Sequence, residues 1–256
     1  MKNSNEKKSR QREKLIYGRH PVLEALKRQI VKRVFYYEGI RRDGFLSELV
    51  NTCDEKGIPL SKVDDDYLTS RLGKSNHQGV LAEVTPFEYT DFQSLLQSVR
   101  HDKPACILVL AHLEDPGNFG AILRSAAAFG ISGVIIPKNR SVSVNATVAK
   151  TSAGTLGIVP VTLVPSLRNA VNALKEVDFW VVGSDANSEK EISDIEFPER
   201  SVIIMGGESK GVPPLLLEEC DYHVRIDIAK DVDSLNVSAA SAIFLQIASV
   251  TMRKMK

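Results

Sequence analysis

The chain has 256 residues, 43% of them hydrophobic and 25% charged, with a formal net charge of +1; that length accommodates two compact domains or one large one with a substantial core. No apolar run approaches the ~20 residues needed to span a bilayer, and the first fourteen residues are too polar for the apolar core of a signal peptide, so a cytoplasmic protein is expected. A net charge near zero neither requires nor excludes a nucleic-acid partner, because binding depends on local patches.

Residues 1–14 carry Lys2, Lys7, Lys8, Arg10, Arg12 and Lys14 against Glu6 and Glu13, an excess of four positive charges, and read as a disordered basic tail. Residues 15–88 read as a small α/β domain. A helix is expected from about Pro21, where proline suits a first turn, followed by a strand over Val31–Tyr37. A helical pattern then carries Phe45, Leu46, Leu49 and Val50, a strand runs from Ile58 to Val63, and Asp64 or Asp65 caps a further helix. Gln78 to Val84 closes the domain as a strand. Lys27, Arg28, Lys32, Arg33, Arg41 and Arg42 are interleaved with Phe35, Tyr36 and Tyr37. Such a mixture is either a phosphate- and base-binding surface or a solvated helix end beside an ordinary strand. Pro86 and the polar residues around Thr90 break the pattern. Residues 89–104 are expected to be a linker containing an amphipathic helix with Phe92, Leu95, Leu96 and Val99, ending at Lys103-Pro104.

From residue 105 to 256 apolar strands alternate with helices. Strands are expected at Ile107–Leu110, Val134–Ile136, Ile158–Val164, Phe179–Val182 and Val202–Met205. Helices are expected after Asn118, near Ala146, over Leu167–Leu174 and after Asn236. The alternation predicts a mostly parallel sheet covered by helices on both faces, which binds ligands beyond the carboxyl ends of its strands.

The common nucleotide fingerprints are missing. No Gly-x-Gly-x-x-Gly follows a first strand, and no phosphate loop ends in Gly-Lys-Ser or Gly-Lys-Thr. Cys53, Cys106 and Cys220 are far apart and read as idle thiols; the five histidines are scattered, and no metal site is predicted. Three other segments stand where a strand ends and a helix begins. The first runs from Asp115-Pro116-Gly117-Asn118 to Gly130, with Asn118 expected as N-cap of an Ala-rich helix that ends in glycine. Its one cation, Arg124, cannot shed its charge, so it either reaches solvent or meets an anion. The second is Met205-Gly206-Gly207-Glu208-Ser209-Lys210-Gly211, whose glycines let a ligand approach the backbone closely. Glu208 within this turn would repel a polyphosphate. The third, Ser234-Leu235-Asn236-Val237-Ser238, opens the final helix, whose core face is expected to carry Val237, Ala240, Phe244 and Ile247. Taken alone, Ser234 and Asn236 read as helix caps.

In this order the three segments resemble the three motifs of the SpoU branch of the SPOUT RNA methyltransferases. The resemblance covers about Ala105 to Met252. In the first half, Ile16-Tyr17-Gly18-Arg19-His20-Pro21-Val22 and Asn76-His77-Gln78-Gly79-Val80 look like the substrate domain of bacterial enzymes that methylate a guanosine ribose in large-subunit ribosomal RNA. The resemblance implies a trefoil-knotted catalytic domain, an obligate homodimer, S-adenosylmethionine as cofactor, and RNA as substrate, ribosomal rather than transfer RNA. It carries catalytic roles onto Asn118, Arg124, Glu208, Ser234 and Asn236, and cofactor contacts onto Gly206, Gly207, Ile226 and Leu235. Two positions depart from the family pattern: Asp227 stands where relatives often have proline, and Gly117 replaces a common histidine. Methyl transfer to a ribose 2′-hydroxyl requires alignment and charge stabilisation. Arg124 suits the second role, because free arginine is a very poor base. A transfer-RNA methyltransferase, an inactive RNA-binding factor on the same fold, and a nucleotide-dependent oxidoreductase are the competing readings, the last lacking any glycine fingerprint.

Overall fold

A computed structural model describes residues 14–27, 31–73, 75–84, 87–100, 104–207, 211–229 and 231–254. The expectations for the basic tail up to residue 13, for Arg28, Pro86 and Lys103, and for Glu208 with its neighbours Ser209 and Lys210 lie outside the described residues. The chain divides into two compact units, residues 1–87 and 88–256.

The first unit alternates β1 (Lys14–Tyr17), α1 (Arg19–Lys27), β2 (Val31–Tyr37), α2 (Gly44–Glu55), β3 (Leu60–Val63), α3 (Asp65–Leu72) and β4 (Val80–Val84). Its sheet has the order β1-β4-β2-β3, with β4 antiparallel to β1 and β2, and β2 parallel to β3. Val22 and Leu26 of α1 and Leu49 and Cys53 of α2 fill one face with Val34; Leu68 of α3 fills the other with Phe35 and Leu81. Asp43 and Asp64 cap α2 and α3 by accepting backbone N–H bonds. Arg19 donates to Asp43 at 2.6 Å, and that bond holds the Asp43 carboxyl below its ordinary range. Two expectations change. Phe35 is 5% exposed beneath Tyr67, so it is a core residue and cannot stack on a base. Gln78 and Gly79, expected to open the last strand, form a turn at φ 53° and 77°.

The second unit contains α4 (Phe92–Ser98), β5 (Ala105–Ala111), α5 (Pro116–Phe129), β6 (Gly133–Pro137), α6 (Ala146–Thr151), β7 (Val161–Val164), α7 (Leu167–Lys175), β8 (Trp180–Ser184), a 3₁₀ turn at Ile192–Asp194, β9 (Arg200–Gly206), α8 (Pro214–Leu217), β10 (Tyr222–Val224) and α9 (Val237–Lys254). Its six strands run in the order β10-β8-β9-β5-β6-β7, every pair parallel. All seven residues of β5 are buried, as a strand covered on both faces requires. The chain moves outward through β6 and β7, then crosses to the opposite side of β5 and inserts β9 beside it. Strand order therefore reverses at the β5–β9 pair, the position where open parallel sheets form ligand crevices. Ile158, expected within a strand, is 64% exposed in the turn before β7. Among the described residues no helix is long and apolar enough to cross a membrane.

Helix α4 belongs to this second core. Leu95 and Val99 are 1% and 6% exposed and cluster with Ile107, Ile135 and Val164, and the Thr90 N–H donates to the Val161 carbonyl at 2.8 Å. Residues 90–99 of the expected linker thus pack as part of the C-terminal unit. Leu95→Ala should destabilise that unit by about 2–5 kcal/mol, measured by urea unfolding followed through Trp180, the chain's single tryptophan.

Candidate active site

Pairing of β5 with β9 from Ala105–Arg200 to Ala111–Gly206 delivers the first segment and the glycine turn side by side at the carboxyl end of the sheet. On the first side, Asp115 rather than Asn118 caps α5, accepting the Asn118 backbone N–H at 2.6 Å. Pro116 occupies the first turn, and Gly130 ends the helix at φ 71°. With the cap supplied by Asp115, the Asn118 amide is available elsewhere, and its Oδ1 accepts a hydrogen bond from Asn236 Nδ2 at 3.0 Å.

Asn236 therefore has two roles. Its Oδ1 accepts from the Ser238 backbone N–H at 2.9 Å and from the Ser238 hydroxyl at 2.6 Å, which caps α9; its amide nitrogen ties that cap to α5. The helix-cap reading of this residue holds, and the same side chain contacts the first motif segment. Arg124 projects from α5 as an exposed side chain with no hydrogen-bond or ion-pair partner among the described residues. Nothing in the described protein competes with an anionic ligand for its guanidinium.

The paired glycines are required by the fold itself. A Cβ on Gly206 would collide with the Gly211 backbone, and one on Gly207 with the His112 carbonyl. Gly211 N–H also returns to the Gly207 carbonyl at 3.2 Å. Both residues are glycine because the chain's own backbone approaches there, folding the turn onto itself and against the connection after β5. Neither lines the adjacent cavity. Gly120 has the same basis: its missing side chain leaves room for Thr151 and the backbone of α6.

That cavity, of about 410 Å³, opens at the carboxyl ends of β8 and β10. Ile226, Ser234 and Leu235 line it. Ser184, Ala186, Arg225, Asp227, Ile228, Val232, Asp233 and Ala240 line it as well. Ala240, expected on the core face of α9, faces this cavity instead; the buried face of α9 carries Val237, Ser241, Phe244, Leu245, Ala248 and Met252. Arg225 donates through Nη2 to Glu191 at 3.1 Å, while its Nε is buried without a partner among the described residues. Such an orphaned donor costs stability unless a ligand or water meets it. Burial pushes the thiols of Cys53 up to about 11 and of Cys106 and Cys220 up to about 12, so none is a nucleophile at neutral pH.

The second unit is thus an α/β sheet with a cavity at the carboxyl ends of its strands, and Arg124 stands exposed on the helix that carries Asn118. Residues 105–246 match the SpoU rRNA Methylase family, and residues 15–90 match the RNA 2′-O ribose methyltransferase substrate-binding family. A protein of Staphylococcus aureus described as a TrmH family tRNA/rRNA methyltransferase is 38% identical over 237 residues, covering 90% of this chain and 93% of its own length. The SpoU methyltransferase AviRb of Streptomyces viridochromogenes, solved with S-adenosylmethionine, shares the fold at a TM-score of 0.65 and 22% identity, over 94% of this chain and 90% of its own. An rRNA methyltransferase of Sinorhizobium meliloti, also solved with that cofactor, does so at 0.62 and 22%, over 91% and 85%. The chain belongs to the SpoU methylase family and is an S-adenosylmethionine-dependent RNA methyltransferase.

The cap assignment predicts an asymmetry between neighbouring residues. Asp115→Ala should cost about 0.5–2 kcal/mol of stability through loss of the α5 cap, whereas Asn118→Ala should cost well under that, both measured by urea unfolding. Equal losses would return the cap to Asn118.

Proposed function

We propose that the protein transfers a methyl group to a ribose 2′-hydroxyl of RNA, that its substrate is a guanosine in large-subunit ribosomal RNA, and that Asn118, Arg124, Glu208, Ser234 and Asn236 carry the reaction beside a cofactor held by the cavity at β8 and β10. The observation that carries this reading is the Asn118–Asn236 hydrogen bond. It joins the first and third motif segments at the helix opening that continues from cavity residues Ser234 and Leu235, with Arg124 on the same helix as Asn118.

The cavity suits the cofactor by size and chemistry. Its volume lies within the roughly 300–1,000 Å³ usual for small-molecule sites. Ile226, Ile228, Val232 and Leu235 supply apolar walls for a purine, and Arg225 at the wall supplies positive charge for a carboxylate. When bound, S-adenosylmethionine supplies an electrophilic methyl group on a sulfonium. Asn118 and Asn236 are neutral amides locked to each other, so they can orient a ribose without placing a carboxylate against that positive centre. Arg124 holds a phosphate beside the target ribose with its planar fork and stabilises negative charge developing on the 2′-oxygen. It acts as a fixed donor rather than as a base, because arginine stays protonated. Glu208 orients Arg124 or a ribose hydroxyl, and Ser234 contributes a hydroxyl at the cavity wall.

The ribosomal preference rests on the segments around Arg19 and Gln78, which resemble the substrate domain of large-subunit enzymes; the name of the Staphylococcus relative spans both RNA classes. The same reading makes the protein a homodimer with a knotted catalytic domain. Arg124→Ala should lower turnover by roughly 100- to 1,000-fold while leaving S-adenosylmethionine affinity unchanged by calorimetry, and Arg124→Lys should not restore activity, since an ammonium lacks the fork. Full turnover in Arg124→Ala would make this residue a solvated helix arginine. Radiolabel from the cofactor should enter purified large-subunit ribosomal RNA in preference to bulk transfer RNA, and the reverse preference would reassign the substrate.

A further inference from the structure

We propose that the tip Lys138-Asn139-Arg140, between β6 and α6, is a phosphate-binding site that holds the RNA strand on the opposite side of Asn118 from the cofactor cavity. The proposal rests on the reading that RNA is the substrate, and adds contacts that none of the three motif segments contains. Strand order fixes the placement. Along the carboxyl edge of the sheet the cavity lies at β10 and β8, the glycine turn at β9, Asn118 beyond β5, and this tip beyond β6.

The tip is exposed yet held rigidly. Lys138 N–H donates to the Val164 carbonyl at 2.9 Å and Val142 N–H to the Leu113 carbonyl at 2.7 Å; Val144 N–H donates to the Tyr89 hydroxyl at 2.9 Å. Val142 and Val144 are 5% and 4% exposed. Leu113 lies two residues before Asp115, the cap of α5, so the bond from Val142 fixes the tip relative to the segment that carries Asn118. Lys138, Asn139 and Arg140 all remain exposed between these anchors. Neither cation has a hydrogen-bond or ion-pair partner among the described residues. The nearest carboxylates in the adjoining connection are Glu114 and Asp115, and Asp115 is engaged in capping α5.

Arg140 occupies the left-handed region at φ 53°. That conformation favours glycine or asparagine and costs a β-carbon-bearing residue on the order of 1 kcal/mol. Among the described residues no hydrogen bond or ion pair of the Arg140 side chain offsets that cost, which leaves its guanidinium available to a ligand. An ammonium and a guanidinium two residues apart, with no aromatic side chain in the tip, match phosphodiester oxygens rather than base edges. The tip therefore supplies affinity and register, independent of sequence.

Filter binding of the full-length protein to purified large-subunit ribosomal RNA, titrated between about 50 and 200 mM salt, tests the proposal. Lys138→Ala/Arg140→Ala should weaken binding about tenfold near physiological salt and make the salt slope shallower by about 1 to 2, one unit for each phosphate no longer neutralised. Arg140→Gly separates charge from strain: glycine accepts the backbone angle, so the melting temperature should hold while RNA affinity falls, and Arg140→Lys should retain part of the affinity. S-adenosylmethionine affinity should be the same in all of them. An unchanged affinity and salt slope in the double variant, or a loss of RNA binding matched by a loss of cofactor binding, would overturn the proposal. Failure of the wild-type protein to bind the RNA would instead overturn the functional reading on which it rests.

Discussion

The pairing of β5 with β9 is the constraint on which the rest of the C-terminal unit depends. Seven consecutive residue pairs run in parallel register between them, and a parallel neighbour can be reached only through a long crossover. The chain makes that crossover by building β6, β7 and β8 first. As a result, segments far apart in sequence leave the sheet at one edge, and the glycine turn after β9 has to share space with the connection after β5. Gly207 against the His112 carbonyl, and His112 itself at φ 57°, mark where the two connections press together.

From that edge the site is assembled largely by groups that also terminate secondary structure. Asp115 satisfies the start of α5, so Asn118 is not its cap; Asn236 satisfies the start of α9 and spends its second polar end on Asn118. Capping is strongly directional and held by several bonds at once, so it fixes these amides more tightly than a surface loop would. Arg124, the arginine proposed to act on RNA, follows the opposite rule and stands exposed on α5. The cavity combines both modes, with apolar walls from the segment after β10 and one arginine that donates to Glu191 while its Nε has no partner among the described residues.

Much of this was legible in the sequence, and the exceptions have identifiable causes. Alternation of apolar strands with helices specified two α/β units and the parallel sheet, and hydrophobic spacing placed α2, α5, α7 and α9 to within a few residues. The short strands β1 and β10 were missed because four and three residues give no period to read. The cap of α5 was placed three residues late: Asp115 and Asn118 are both good caps, and only Pro116, which suits a first turn, distinguishes them. For Gly206 and Gly207 the glycine pattern could not reveal that the chain's own backbone already needs the space a side chain would fill. Ser184, Ala186 and Arg225 carry no motif signal, since their place in the cavity follows from β8 and β10 being neighbours, a fact of topology. Phe35 looked available for stacking only because the partner that buries it, Tyr67, lies on another element.

The central claim is that the methyl group reaches a ribose 2′-oxygen. Alkaline hydrolysis of RNA labelled by the protein from S-adenosylmethionine carrying a radioactive methyl group tests it directly, because alkali cleaves through a free 2′-hydroxyl and leaves the bond beside a methylated one intact. The account predicts label confined to alkali-resistant dinucleotides. Label recovered in mononucleotides would place the methyl group on a base and contradict it.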